Sequence, residues 1–360
     1  MPDALLDLTA DSAAITKAVC DLQSVSGEEQ PLADAIEATM RMHEHLSVER
    51  IGNTVVARTE LGRDRRVVIA GHIDTVPVNG NLPTRFESEN GVEYLWGRGT
   101  VDMKAGVAVQ LKLAAEIATP AFDVTWIWYD NEEVAESKNG LGIVARERPD
   151  LMRGDFAILG EPSDGGVEGG CNGTIRFDVV THGVRSHSAR SWIGHNAIHD
   201  AAGVLTVLAE YEAAHVDVDG LVYREGLNAV GIEGGVAGNV IPDSCRVTVN
   251  YRFAPDKTAD AAIAHVTQLF DGYDVEVTDR AEGARPGLTV PLAAEFIRAT
   301  GLTPRPKMGW TDVARFSALG VPAVNYGPGD PLLAHHDQER VELEQIRDCE
   351  NRLRNWLSGA

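Results

Sequence analysis

Five short stretches concentrate imidazoles and carboxylates. "VVIAGHIDTVP" (67–77) runs apolar residues into Gly71, then sets His72 and Asp74 two apart where a strand should end. "VTWIWYDNEE" ends on Asp130, Glu132 and Glu133, and "DFAILGEP" ends on Glu161. In "GRGTVDMKAG" Asp102 stands just ahead of a helical pattern, and "AHHDQE" places His335 and His336 ahead of another. Each has an ordinary reading alone: a polar strand end, a helix cap favoured by the dipole, a surface histidine pair. Taken together they point elsewhere, because open α/β sheets gather their ligands at the carboxyl ends of strands. Carboxylates crowded on one rim repel and raise one another's pKa values unless a cation neutralises them. Histidine with Asp and Glu, without thiolate, suits zinc or a related divalent ion in a catalytic site with open positions. Two ions about 3.5 to 4 Å apart, bridged by one carboxylate, are the arrangement that needs so many acids.

The elements that must position these residues alternate. Helical patterns cover 12–24 and 29–46, strands "NTVVART" and "RRVVIAGH" follow, and a helix runs through "DMKAGVAVQLKLAAEIA". Then come "VTWIWYD", a helix over 136–148, and "DFAILG". This order predicts a mainly parallel sheet covered by helices. From 173 the rhythm changes to strand "TIRFDVVTHG", helix 194–214, strands "NAVGIEGGVAG" and "CRVTVNYRF", helix 256–271 and strand "YDVEVTD". That β-α-β-β-α-β order is the ferredoxin-like motif. A helix at 290–300, strand "PAVNYG" and a helix from about 340 return to the first pattern. The expected fold class is therefore α/β: a discontinuous catalytic domain, 1–172 plus 286–360, carrying an inserted α+β domain at 173–285.

Composition sets limits on partners. With 32 Lys plus Arg against 54 Asp plus Glu, the formal net charge of -22 disfavours nucleic acid and anionic membranes. An acidic substrate would need a local group of arginines. The start "MPDALLDLTADSAAITKAVC" has neither a basic lead nor a long apolar run, so a cytoplasmic location is expected. Cys20, Cys171, Cys245 and Cys349 form no C-x-x-C pair and read as reduced thiols.

The ordered set "GHIDTVP", "GRGTVDMKAG", "DNEEVAES", "GEPS" and "AHHDQE" resembles the dizinc amidohydrolases and exopeptidases, which include aminoacylases, acetylornithine deacetylases, glutamate carboxypeptidases and desuccinylases. "SVSGEE" near the start and "GNVIPD" in the inserted domain fit as well, so the resemblance spans nearly the whole chain. It implies two Zn2+ ions per subunit, with Co2+ able to take their place. His72 and Glu161 would hold one ion, Glu133 and a C-terminal histidine the other, and Asp102 would bridge them. Asp74 would orient the His72 ring, and Glu132 would be the general base for the attacking water. Of the doubled histidines, the family spacing of a His four residues before a Glu selects His335, with Glu339. Two positions depart from the family: Asn131 where Asp is usual, and Ala105 where Gly is frequent. Neither is a ligand or the base.

The resemblance also implies a homodimer through the inserted domain, with His187 in "HGVRSHSARSW" donating to the oxyanion; the ordinary alternative is a histidine that caps a loop. Arg252, Asn239 and Arg176 match positions that hold the carboxylate-bearing part of the substrate, as a bidentate guanidinium can. Thr311, with Asp312 and Arg315 in "GWTDVARF", resembles the pocket segment of desuccinylases. "EEVAESKNGLG" and "GNVIPDSCRVTVNYRFAP" resemble that branch too, which implies cleavage of an N-succinyl amide of a diamino dicarboxylic acid. The alternatives are another N-acyl-amino-acid hydrolase, such as an acetylornithine deacetylase, and a non-catalytic metal-binding relative.

Overall fold

The computed structural model describes residues 5–359. The chain divides into two compact units, Met1–Gly169 with Pro286–Arg305 and Arg315–Ala360, and Gly170–Arg285 with Pro306–Ala314.

In the first unit the strand Arg66–His72 is buried from Val67 onward, as befits an apolar run with layers on both faces. It pairs in parallel with Asp123–Tyr129 on one side and Phe156–Leu159 on the other. His72 lies opposite Tyr129, and Ala70 opposite Leu159, so these chains leave the sheet along one edge. The segments holding Asp74, Asp130 to Glu133, and Glu161 all begin there. Ala323–Asn325 extends the parallel centre beside Phe156–Leu159. Outside it the pairing turns antiparallel, through Thr54–Arg58 and Ser47–Ile51 at one edge and Glu168–Gly169 at the other. Arg305–Pro306 lies outermost beside Glu168–Gly169, which makes eight strands among the described residues.

The helix Lys104–Glu116 is buried from Lys104 through Ala114, far more than a surface helix would be. Small residues permit this. A Cβ on Gly106 would collide with the backbone of Gly160, and one on Gly71 would meet Met103 Cε at 2.8 Å. The C-terminal helix Leu343–Ser358 packs beside that helix in the same core, where Trp356 meets Phe296 with ring centroids 4.9 Å apart.

The second unit holds a four-stranded antiparallel sheet in the order Gly226–Gly234, Ser244–Phe253, Gly173–His182, Asp274–Ala281. The helices Ala197–Ala209 and Ala259–Leu269 share one core with Ile175, Phe177, Val247, Val249 and Tyr251 on one sheet face. This is the ferredoxin-like arrangement expected.

Several expectations are corrected. The helix placed at 29–46 ends at Met40, and the one placed at 194–214 is Ala197–Ala209, started by Asn196 accepting from the Ile198 N–H. The pattern at 136–148 splits at Asn139, which caps Gly140–Glu147. The final helix starts at Leu343 because Arg340–Glu342 pairs as a strand with Val92–Trp96. The return segment 286–360 is not all one body. Residues 306–314 belong to the second unit, where the Lys307 carbonyl accepts from Asn172 and Trp310 Nε1 donates to the Glu282 carbonyl. Two hairpins add to the expected elements, Arg85–Glu89 with Val92–Trp96 and His215–Val218 with Leu221–Arg224. Their turns, Asn90-Gly91 and Asp219-Gly220, both have positive φ throughout, the requirement of the tight hairpin turn.

Candidate metal centre

Asp102 is the hub of the strand-end cluster. Its Oδ1 lies 3.0 Å from His72 Nε2, and its Oδ2 lies 3.2 Å from His335 Nε2. The same His335 nitrogen is 2.8 Å from Glu133 Oε1. Donor atoms of His72, Asp102 and Glu161 fall within 4.8 Å of one another, as do those of Asp102, Glu133 and His335, and those of His72, Glu132 and Glu133. The structure thus brings together six residues singled out in the sequence. His336 turns away from this group, its Nδ1 accepting from the Gln338 N–H. Asp102 is not a helix cap: the capping position of Lys104–Glu116 is Met103, and the Asp102–Met103 peptide is cis.

The electrostatics follow from the surplus of acids. Burial pushes the Asp102 carboxyl up, but bonds from His335 and His72 outweigh it and hold the pKa well below the usual range. Bonds to Asp102 and Glu133 raise His335 to about 10. Burial pulls His72 down, yet Asp102 and Asp74 lift it well above its ordinary value. Two imidazoles are therefore drawn toward the protonated state by the carboxylates around them. Divalent cations in the same field satisfy the same charge. Two imidazoles, four carboxylates beside them and no thiolate form a donor set that fits zinc-type ions.

Asp74, fully buried, arranges the rim. Its Oδ1 accepts from the Glu132 N–H at 3.0 Å, and its Oδ2 accepts from the Glu133 N–H at 3.1 Å and the Ser26 hydroxyl at 2.7 Å. His72 Nδ1 is 3.1 Å from the Asp74 carbonyl oxygen and 3.4 Å from Oδ1, so backbone and side chain both orient the ring. Asn131, the departure from the family pattern, has φ 59° and donates its Nδ2 to Asp130 Oδ2 at 2.7 Å. Asparagine is among the few residues that tolerate this left-handed conformation. Glu29, buried, accepts from the N–H groups of Gly27 and Asn131. Ser26 and Glu29 lie inside "SVSGEE", and no spacing rule assigns them these contacts.

The second unit holds the other singled-out residues. Arg252 is half-buried, its Nε donating to Asn250 Oδ1 at 3.2 Å. Burial and the neighbouring Arg176 lower its pKa. Thr174, Arg176, Asn250 and Arg252 alternate with the core-facing residues, so they share the sheet face away from the helices. His187 Nδ1 accepts from the Ala189 N–H and caps the turn that follows. His187 pairs with Val240, and the Ser188 N–H donates to the Asn239 carbonyl, so Asn239 and His187 are neighbours. Thr311 is buried, its carbonyl 3.7 Å from Cys171 Sγ. All four cysteines are free and buried.

Fold and site define a class. The pattern of peptidase family M20/M25/M40 matches residues 68–358, and the chain belongs to that family. Among individual proteins, it is 52% identical to the putative succinyl-diaminopimelate desuccinylase of Mycobacterium tuberculosis, over 99% of this chain and 100% of that one. It is 47% identical to the succinyl-diaminopimelate desuccinylase of Corynebacterium glutamicum, over 98% of each. The fold resembles the crystal structure of aminopeptidase PepT from Bacillus cereus, with a TM-score of 0.79 at 17% identity and 99% coverage of both chains. It also resembles YXEP of Bacillus subtilis, a dinuclear metal-binding peptidase, with a TM-score of 0.70 at 15% identity and 96% coverage of both.

Proposed function

We propose that this protein hydrolyses N-succinyl-L,L-diaminopimelate to succinate and L,L-diaminopimelate, a step toward diaminopimelate and lysine, using two zinc ions. The observation that carries the hydrolytic reading is Asp102, whose two carboxylate oxygens face different histidines. The near-full-length likeness to two desuccinylases supports the choice of substrate.

In this reading His72, Asp102 and Glu161 would hold one ion, and Asp102, Glu133 and His335 the other. The ions would supply Lewis acidity to the scissile carbonyl and to the attacking water. Glu132 takes the proton from that water and returns it to the leaving amine. Asp74 fixes the peptide that carries Glu132, because both adjacent N–H groups are bonded to its carboxylate. Arg176 and Arg252, two guanidiniums on one sheet face, offer a carboxylate its partner. Asn239 and Thr311 join them in substrate binding, and His187 donates to the oxyanion.

A homodimer formed through the second unit is supported by its edge strand. Among the described residues Gly226–Gly234 pairs on one side alone, and its Val230 and Ile232 are exposed. Ile198 and Leu205 of the Ala197–Ala209 helix are exposed as well. No described helix is long and apolar enough to cross a membrane; the four free thiols support a cytoplasmic location.

The test is Glu132→Gln. The variant is expected to keep both metal ions and to lose nearly all hydrolysis of the N-succinyl substrate. A metal-loaded variant with the wild-type rate removes Glu132 from the role of base.

A further inference from the structure

Arg98 and Glu339 form an ion pair between residues 3% and 1% exposed, with Nη1 and Oε2 2.8 Å apart. Glu339 Oε1 accepts from the N–H groups of Val101 at 2.9 Å and Asp102 at 3.1 Å. Its backbone carbonyl accepts from the Gly97 N–H at 3.0 Å. Arg98 in turn reaches the carbonyls of His335 at 3.4 Å and His336 at 3.5 Å. The pair therefore grips the backbone on both sides of one gap: the loop ending in Asp102, and the turn holding His335.

A buried ion pair is a poor source of net stability, because desolvating both charges offsets most of their attraction. A positional role explains its placement better. His72 and Glu161 emerge from neighbouring strands fixed by a parallel ladder, and Glu133 is held through Asp74. His335 has no such support. It follows a single turn, Pro331–Leu333, has φ 62°, and leaves 52% of its side chain exposed. A non-glycine residue at that φ is uncommon and depends on its surroundings to hold it.

We propose that Arg98 and Glu339 are positioning residues that set Asp102 against His335, and so govern the affinity of the metal position formed by Asp102, Glu133 and His335. The proposal rests on the two-ion reading above.

The experiment strips the full-length protein of metal and titrates it with Zn2+ by calorimetry and with Co2+ by visible absorption. Wild type is compared with Glu339→Gln, with the double variant Arg98→Met/Glu339→Gln, and with His335→Ala to mark the position. The double variant leaves no unpaired buried charge and guards against misfolding of the single one. Asp123→Asn is the control, a buried carboxylate of the same unit at the opposite end of the Asp123–Tyr129 strand. Loss of an orienting partner typically weakens metal binding about 10- to 100-fold. That loss is expected for the ion that His335→Ala also weakens, in both Glu339 variants, with the other ion within about threefold and the control unchanged. Wild-type affinities for both ions, or equal weakening of both, overturns the proposal. Fewer than two ions in wild type overturns instead the reading beneath it.

Discussion

Replacing Asp74 by asparagine isolates one buried carboxylate from its metal-site neighbours. Its two oxygens accept from the Glu132 N–H, the Glu133 N–H and the Ser26 hydroxyl, and Oδ1 also faces His72 Nδ1. An amide can place its one oxygen at only one of these positions. The hydroxyl of Ser26 can turn round and accept, so the NH2 group settles at the Oδ2 side and keeps the Glu132 bond. The Glu133 N–H is then left facing a donor. An unsatisfied buried donor costs about 1 to 3 kcal/mol, and the peptide carrying Glu132 and Glu133 is free to shift. A displacement of about 1 Å at a reacting group lowers the rate on the order of a hundredfold. Asp74→Asn is therefore expected to lower kcat about a hundredfold with little change in KM, and to lower unfolding stability by about 1 to 3 kcal/mol. Ser26→Ala removes only a neutral donor and should cost about 1 kcal/mol with kcat nearly intact. Steady-state kinetics on metal-loaded protein and urea denaturation read both effects. Wild-type kcat in Asp74→Asn would show that the carboxylate does not hold the base.

Three further outcomes follow from other parts of the molecule. Asp123 accepts from the N–H groups of Leu61 and Arg63 and from the Thr59 hydroxyl, which outweigh burial and hold its pKa below the ordinary 3.8. A depressed carboxylate contributes its stability above the unfolded pKa and loses it as pH falls through the folded one. Asp123→Asn should therefore cost about 1.5 to 3 kcal/mol near neutral pH in urea denaturation, a gap that narrows as pH falls below the ordinary 3.8; a gap independent of pH contradicts the assignment. Arg252→Met should raise KM for the N-succinyl substrate roughly 10- to 100-fold, the worth of one charge-assisted bond, while kcat moves less; an unchanged KM removes Arg252 from recognition. Val230→Arg combined with Ile232→Asp should halve the mass measured by light scattering, and a wild-type mass would place any dimer contact elsewhere.

The rim of acids was legible because each of three apolar runs stops abruptly at polar residues. A buried parallel strand reads as an unbroken apolar run, so "VVIAG", "VTWIWY" and "FAIL" announced both themselves and the side on which they end. His72, Asp130, Glu132, Glu133 and Glu161 stand at those ends; which of them would be ligands was given by the family resemblance alone. The supports did not, because each joins residues remote in sequence. Ser26 meets Asp74 across 48 residues, Glu29 meets Asn131 across 102, and Arg98 meets Glu339 across 241. No pattern within a strand or helix encodes such pairs. The missed hairpins are a different case. The Asn90-Gly91 and Asp219-Gly220 turns carried a local signal, but "RFESENGVEYLW" is charged on both arms and lacks the alternation that marks a half-buried strand. The 306–314 segment was also hidden, since its membership of the second unit depends on Asn172, Arg224 and Glu282 reaching it from elsewhere in the chain.

The most direct measurement is amine release from N-succinyl-L,L-diaminopimelate beside N-acetyl-L-ornithine, on zinc-reconstituted protein with Glu132→Gln as the blank. A strong preference in kcat/KM for the succinyl substrate is the result expected. Two bound zinc ions with turnover of neither substrate, or a preference for the acetyl compound, would contradict the desuccinylase account.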